Sequence, residues 1–158
     1  MVKDTSPDVP TRMSSTRDAA PAAVVAKIPG RPVPLGRPRM TRSGRAYTPA
    51  RSRAWIKAAA LVIRSGFEGE ALEGPVCLQL AAGYPRPKSW PRAAPSGRTW
   101  RPKRPDVDNV IKAACDALTA SGVIVDDAQI VGIHAISVYA AKDESSHVQI
   151  ELTKAPPC

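Results

Sequence analysis

The chain has 158 residues, 43% of them hydrophobic, with 23 lysines and arginines against 14 aspartates and glutamates and a net charge of +9. This length allows one domain with a core, which we expect over residues 23–154, preceded by a disordered tail over residues 1–22 that is rich in Ser, Thr, Pro and Asp. No apolar run is long enough to span a membrane, and the N-terminus lacks the hydrophobic segment of a secretory signal.

The charges are separated along the chain. No acidic residue lies between Asp18 and Glu68, an interval with ten lysines and arginines, and none lies between Glu73 and Asp106, where seven more occur. From Asp106 onwards, eight acidic residues stand against three lysines. The first part is typical of a surface that holds a polyanion, and the second of a site that holds a cation. Basic decoration for solubility is the simpler alternative.

The three cysteines indicate neither a disulfide framework nor a zinc site. Cys77, Cys115 and Cys158 are widely spaced, and none stands at a zinc-type spacing from His134 or His147. We expect the first two to be buried as small hydrophobic side chains and the protein to be reduced and cytoplasmic.

The first half of the chain predicts a strand, a basic segment and a helix. Residues 23–28 favour a strand, and a proline- and arginine-rich segment follows over residues 31–39. Residues 50–65 predict a helix, with Thr48 as N-cap and Gly66 at its end. The residues that recur at helical spacing on its apolar side are Trp55, Ala58, Ala59 and Val62.

A strand over residues 75–81 leads into a long basic segment without regular structure, residues 85–105, which we expect to be a flexible loop. Trp90 and Trp100 lie among its arginines and lysines. Aromatic residues in such a setting suit stacking on exposed bases, but they serve equally well to anchor a loop to its domain.

The last part of the chain predicts a helix over residues 109–121 and strands over residues 129–140 and 148–152, with a bulge at Gly132. The apolar face of the helix contains Val110, Ala114, Ala117 and Leu118.

Two pairs of aspartates flank this helix. Asp106 and Asp108 would face the same side of an extended segment, and Pro105 places them at the entry to the helix. Asp108 has a simple alternative role as the N-cap, whereas Asp106 has no capping duty. Asp126 and Asp127 follow the helix and would meet the first pair only if the chain reverses; acidic residues in a surface turn are the alternative.

Clustered carboxylates suit a Mg²⁺ ion, which prefers oxygen ligands and can neutralise and activate a phosphodiester. Lys112 lies one helical turn after Asp108, where it could contact the phosphate or stabilise developing charge. Its alternative role is a surface pair with Asp108 and Asp116, which contributes only tenths of a kcal/mol.

At these residues the chain resembles the RusA family of Holliday-junction resolvases, which is common in phages and prophages. The resembling motif is D-x-D-N-x-x-K-x-x-x-D-x-L over residues 106–118, followed by a hydrophobic run and D-D-x-Q at residues 126–129. Residues 28–39 and 44–49 also resemble the family's N-terminal strand and turn, so that the likeness covers residues 24–152. The tail and the proline-rich loop are departures from the pattern.

The resemblance implies an α+β fold, a small mixed domain with a sheet packed against two main helices, that works as a homodimer. It also implies paired symmetric nicks in four-way DNA junctions with Mg²⁺, or alternatively Mn²⁺, as cofactor. Carried over by position, the catalytic residues would be Asp106, Asp108, Asp127 and Lys112. The three aspartates would bind metal, with Asp126 as an adjacent candidate.

Two other functions fit parts of the sequence. A basic DNA-binding module without nuclease activity explains the charge but leaves the aspartate clustering unused. A Mg²⁺-dependent phosphatase for small substrates explains the aspartates, but it would not need ten basic residues between Asp18 and Glu68.

Overall fold

A computed structural model describes residues 23–157, so that the tail expected over residues 1–22 and the last residue, Cys158, lie outside the described part. The strands are β1 Val24–Pro29, β2 Arg39–Met40, β3 Ala46–Tyr47, β4 Val76–Tyr84, β5 Thr99–Trp100, β6 Ile130–Tyr139 and β7 His147–Lys154. The helices are α1 Ala50–Ser65, α2 Val107–Ala120 and a 3₁₀ turn, Asp127–Gln129.

Five strands form one mixed sheet in the order β1-β7-β4-β6-β5, in which only β4 and β6 run parallel. Alternate residues of β1 are buried, because one face of the sheet packs against the two helices. This core takes Leu78 and Leu80 from β4 and Ile63 and Leu118 from the helices. The architecture is the α+β arrangement expected from the sequence.

Helix α1 has the predicted bounds but a rotated apolar face. Trp55 and Ala59 are buried as predicted, together with Ile63, whereas Ala58 is exposed and Val62 only half-buried. The prediction of Thr48 as the cap is wrong, because Pro49 takes the N-cap position and no side chain caps the helix. A strong apolar pattern therefore determines the helix but not its exact facing.

The segment 85–105 is irregular except for β5, and its two tryptophans differ. Trp90 packs edge-on against Tyr139, with ring centroids 5.0 Å apart, and Arg86 lies 4.8 Å from the Trp90 ring centroid. Trp90 thus anchors the segment to the domain, which is the second of the two interpretations of the sequence. Trp100 is 48% exposed on the edge strand β5.

The parallel pair β4–β6 contains the predicted irregularity. Val76 pairs with Ile130 but Cys77 pairs with Gly132, which leaves Val131 as an extra residue. A Cβ atom at Gly132 would lie 3.0 Å from the Cys77 sulfur, a tight contact that a glycine avoids. Neither helix in the described part of the chain is long and apolar enough to cross a membrane.

Candidate active site

The first aspartate pair lies at the start of α2. Asp106 has extended geometry (φ −71°, ψ 145°) and takes the N-cap position, but its carboxylate makes no capping hydrogen bond. Helix α2 begins at Val107 because the Asn109 N–H already bonds to the Asp106 carbonyl oxygen, at 3.2 Å. The prediction that Asp108 is the N-cap is therefore wrong: Asp108 lies inside the first turn.

Three charged side chains form a stripe along the exposed side of α2, because they are spaced four residues apart. They are Asp108, Lys112 and Asp116. The Lys112 Nζ lies 3.3 Å from Asp108 Oδ2, and these side chains are 60% and 59% exposed. Such an open pair contributes little to stability, so both groups remain accessible to a ligand.

The second aspartate pair is divided between two roles. The Asp126 carboxylate accepts a hydrogen bond from the Ala128 N–H at 2.7 Å and caps the 3₁₀ turn. Gln129 completes this capping box, since its Oε1 accepts from the N–H groups of Val125 and Asp126. The Asp127 carboxylate lies exposed at the start of the turn, and no hydrogen bond to it is found from residues 23–157.

Gln129 also fixes the turn to the rest of the fold. Its Nε2 donates to the carbonyl oxygens of Leu72 and Gly74, at 2.8 and 3.0 Å. Sequence reasoning assigned no role to this residue, although its place three residues after Asp126 is the spacing of a capping box. Gln129 thereby fixes the turn that contains Asp127 to the segment that precedes β4.

The chain reversal that the sequence could only suppose brings the two acidic segments together. A depression of about 490 Å³ lies between α2, the 3₁₀ turn and the start of β6. Its charged lining residues are Asp108, Lys112, Asp116 and Asp127, and its apolar ones include Leu35, Cys115 and Ile133. From the sequence, Asp116 is recognised as a neighbour of Lys112 and as part of the family motif, but it is assigned no role at the site. Its place on the same stripe of α2 is the signal that indicates one.

The negative charge in this depression affects neighbouring groups. Burial raises the pKa of the Cys115 thiol to about 11, with further contributions from Asp127 and Asp116. Burial and the Asp127 carboxylate also raise the pKa of Asp116. Cys115 is therefore a protonated, half-buried thiol, less buried than expected, and the carboxylates repel one another in a way that a bound cation would relieve.

Asp106 borders an adjoining depression of about 650 Å³, together with Arg37, Arg104 and Asn109. Leu35 lines both depressions, and its N–H donates to the Asn109 carbonyl oxygen at 2.8 Å. This contact fixes the N-terminal basic segment against the start of α2. Arg37, some 70 residues before Asp106 in the sequence, thus lines the same depression as this aspartate.

The comparison with protein families supports the resemblance. Residues 29–153 match the model of the family described as endodeoxyribonuclease RusA. The chain belongs to this family. It is also 32% identical, over 120 residues, to the uncharacterized protein YqaN of Bacillus subtilis (strain 168), an alignment that covers 70% of this chain and 84% of that protein. RusA proteins are endodeoxyribonucleases that act on branched DNA, so membership indicates a nuclease.

The metal ligands of this RusA protein stay a prediction. Within residues 23–157, no three His, Cys, Asp or Glu side chains converge closely enough to hold an ion. Asp108 and Asp127 share a depression, Asp106 lies beside it, and Asp126 is engaged as a cap. The carboxylate oxygens of Asp106, Asp108 and Asp127, which cap no helix, are donors that suit a hard divalent cation.

Proposed function

We propose that this RusA protein resolves four-way DNA junctions by paired, symmetric, divalent-metal-dependent nicks, and that it acts as a homodimer in recombination and repair. One observation carries the proposal. Carboxylates from two distant segments, Asp108 and Asp127, line the same open depression as Lys112, beside the cationic depression that contains Asp106. This is the arrangement that hydrolysis of a charged backbone requires.

The proposed metal ligands are Asp106, Asp108 and Asp127, and we add Asp116 as a neighbouring carboxylate. Asp126 is left out because its oxygen already caps the 3₁₀ turn. A bound Mg²⁺ or Mn²⁺ would neutralise phosphate charge and lower the pKa of a water. The protein's part is to hold exposed carboxylates near one another, where their repulsion favours a cation.

Lys112 is proposed to leave Asp108 and bind the phosphate. Its ammonium is now 3.3 Å from Asp108 Oδ2 in an exposed pair, which costs little to break. Once a cation occupies the carboxylates, the lysine is the group on α2 best placed to stabilise negative charge that develops on the phosphate.

The DNA backbone is proposed to run along the basic surface beside these depressions. Arg37 and Arg104 flank Asp106, and α1 presents the exposed side chains Arg51, Arg53, Lys57 and Arg64. Such contacts position the strand without reading its sequence. Two symmetric cuts need two sites, which a two-fold dimer supplies on a pseudo-symmetric junction.

The test is cleavage of a synthetic four-way junction across a Mg²⁺ titration. We expect wild-type protein to nick the junction only with the metal. The cleavage rate of Asp106→Asn should fall at least about 100-fold, because a proposed metal ligand is lost. That of Lys112→Ala should fall about 10- to 100-fold, because a positive charge beside the reacting phosphate is lost. Asp106→Asn should bind the junction in Ca²⁺ about as well as wild type, whereas Lys112→Ala should bind it somewhat more weakly, because it loses a proposed phosphate contact. Unchanged cutting by Asp106→Asn would remove the central assignment.

A DNA-binding role without cleavage is the second candidate. It is favoured by the Lys112–Asp108 pair and by the lack of a preformed three-carboxylate cluster in the described residues. Salt-sensitive junction binding without nicking at any Mg²⁺ or Mn²⁺ concentration would establish it.

A further inference from the structure

Arg101 is a buried cation outside the carboxylate depression. It follows β5 directly, is 8% exposed, and forms no salt bridge with any carboxylate of residues 23–157. Burying a charge without an ionic partner is strongly unfavourable unless other groups solvate it. An apolar residue could fill the same space at lower cost, so the contacts of the guanidinium indicate what it is for.

These contacts are aromatic on one side and backbone on the other. The guanidinium carbon lies 3.7 Å from the centroid of the Tyr84 ring and 5.9 Å from that of Tyr139. Its Nη1 donates to the Lys103 carbonyl oxygen at 2.6 Å, and its Nη2 donates to the Arg104 carbonyl oxygen. The side chain thus links the core of the sheet to the two residues before Pro105 and Asp106.

The backbone here has few other means of being fixed. Pro102 and Pro105 carry no N–H, and in the described chain the Arg101 guanidinium is the one donor found for the carbonyls of Lys103 and Arg104. Arg101 itself is held to the sheet, since its N–H donates to the Ser137 carbonyl oxygen at 3.1 Å. Arg101 therefore bonds to β6 through its backbone and to the residues before Asp106 through its side chain.

We propose that Arg101 is a positioning residue for Asp106. Its planar fork binds two successive carbonyls while its face stacks on Tyr84, so that the backbone leading into α2 has one conformation and the Asp106 carboxylate one place beside Asp108. A lysine keeps the charge but has neither the fork nor the flat face. The inference rests on the proposed function, because it gives Arg101 its role through a carboxylate assigned there.

The primary test uses Arg101→Lys, with Arg86→Lys as matched control. Arg86 also stacks on an aromatic ring and donates to backbone carbonyls, but these belong to Pro95, Ser96 and Gly97, away from Asp106. We expect Arg101→Lys to lower kcat for junction cleavage about 10- to 100-fold, as a small misplacement of a reacting group does, with junction affinity in Ca²⁺ unchanged. Arg86→Lys should alter KM at most. A change in KM alone for Arg101→Lys would make it a phosphate contact and overturn the proposal.

A second measurement does not depend on turnover. Mn²⁺ binding to the DNA-free protein, followed by the electron paramagnetic resonance signal of free Mn²⁺, should weaken several-fold in Arg101→Lys. The same substitution made in Asp106→Asn should have no further effect, because the carboxylate that it positions is gone. Equal weakening in both backgrounds, or none in either, would contradict the positioning role.

Two outcomes separate this inference from the proposed function. If Asp106→Asn cuts normally, the proposed function fails whatever Arg101 does. If Asp106→Asn is inactive and Arg101→Lys has wild-type kcat, only the positioning role fails. Should Arg101→Lys not fold, Arg101→Ala with added methylguanidinium at millimolar concentration replaces it: recovery of kcat supports the role, and recovery of the fold without kcat opposes it.

Discussion

Two groups of charged side chains in this protein are built in opposite ways. Near the end of the segment 85–105, Arg98 donates to Glu144 at 2.9 and 2.5 Å, and His147 lies 3.5 Å from the same carboxylate. These side chains are only 5%, 17% and 1% exposed. In the depression beside α2, by contrast, Lys112 and Asp108 are 60% and 59% exposed and form a solvent-exposed pair at 3.3 Å.

We expect this difference to separate stability from function. In the buried group of Arg98, Glu144 and His147, the charges of Arg98 and Glu144 are paired with each other. The His147 Nδ1 donates to the Ser145 carbonyl oxygen, which leaves Nε2 of the neutral ring to accept from Arg98. Removing one partner there leaves a charge buried. The open group consists of the charged residues that line the depression beside α2, namely Asp108, Lys112, Asp116 and Asp127. Its carboxylate oxygens are exposed to solvent and accessible to a ligand. Substitutions in the first should reduce stability, and those in the second should reduce cleavage.

The largest expected effect is on activity in the open group. Asp127→Asn should lower junction cleavage at least about 100-fold, because it removes a proposed metal ligand, while the thermal midpoint stays within about 2 °C of wild type. The control is Asp126→Asn, which keeps the oxygen that caps the 3₁₀ turn and should cut within about three-fold of wild type. Equal losses in the two variants would mean that the pair acts through general charge and not through Asp127 as a ligand.

Much of this contrast was readable in the sequence, but not all of it. The spacing of Asp106, Asp108 and Lys112 predicts a charged first turn of a helix, because helix geometry alone determines which residues within one turn are neighbours. The buried group could not be predicted, since Arg98 and Glu144 are 46 residues apart and meet only through the pairing of β5, β6 and β7. Long-range contacts depend on topology, which a local pattern does not encode.

The same reason explains which parts of the site were missed. The motif predicts Asp127 as a site residue, but the turn that contains it is fixed by Gln129, which bonds to the distant carbonyls of Leu72 and Gly74. The start of α2 differs for a local reason. The sequence predicts the helix from residue 109, two residues late, because Asp108 has the side chain of a typical N-cap and Asp106 has no evident role in the helix. An N-cap position with an uncapped side chain has no distinct sequence pattern.

A smaller effect, on stability, is expected in the buried group. Glu144→Gln should lower the free energy of unfolding by about 2 kcal/mol, because Arg98 is left buried without its carboxylate, and kcat should stay within about two-fold. Asp143→Asn is the matched control: Asp143 is adjacent and exposed and forms no ion pair with any residue in the range 23–157. Denaturant unfolding of both variants measures the difference, and equal midpoints would show that the buried group contributes nothing net.

The pH dependence of stability should distinguish the two groups by sign. The hydrogen bond from Arg98 is the main cause that lowers the pKa of Glu144, to about 2 from 4.5, so its stabilisation is present above pH 4.5 and is lost as pH falls towards 2. Burial lowers the pKa of His147 below 6.5, so that protonation favours the unfolded chain and stability also falls with acidification from that point. Both members of the buried group therefore act in the same direction.

Asp116 in the open group should act in the opposite direction. Because its pKa is raised above 3.8 by burial and by Asp127, the folded state holds the proton more tightly, and ionisation as pH rises destabilises the fold. Asp116→Asn should thus slightly raise the thermal midpoint at pH 7, by about 1 °C, and have no such effect at pH 3. Glu144→Gln should instead remove the decline between pH 4.5 and 2. A midpoint lowered at pH 7 by Asp116→Asn would mean that the open carboxylates are paired for stability, and the contrast between the groups would be lost.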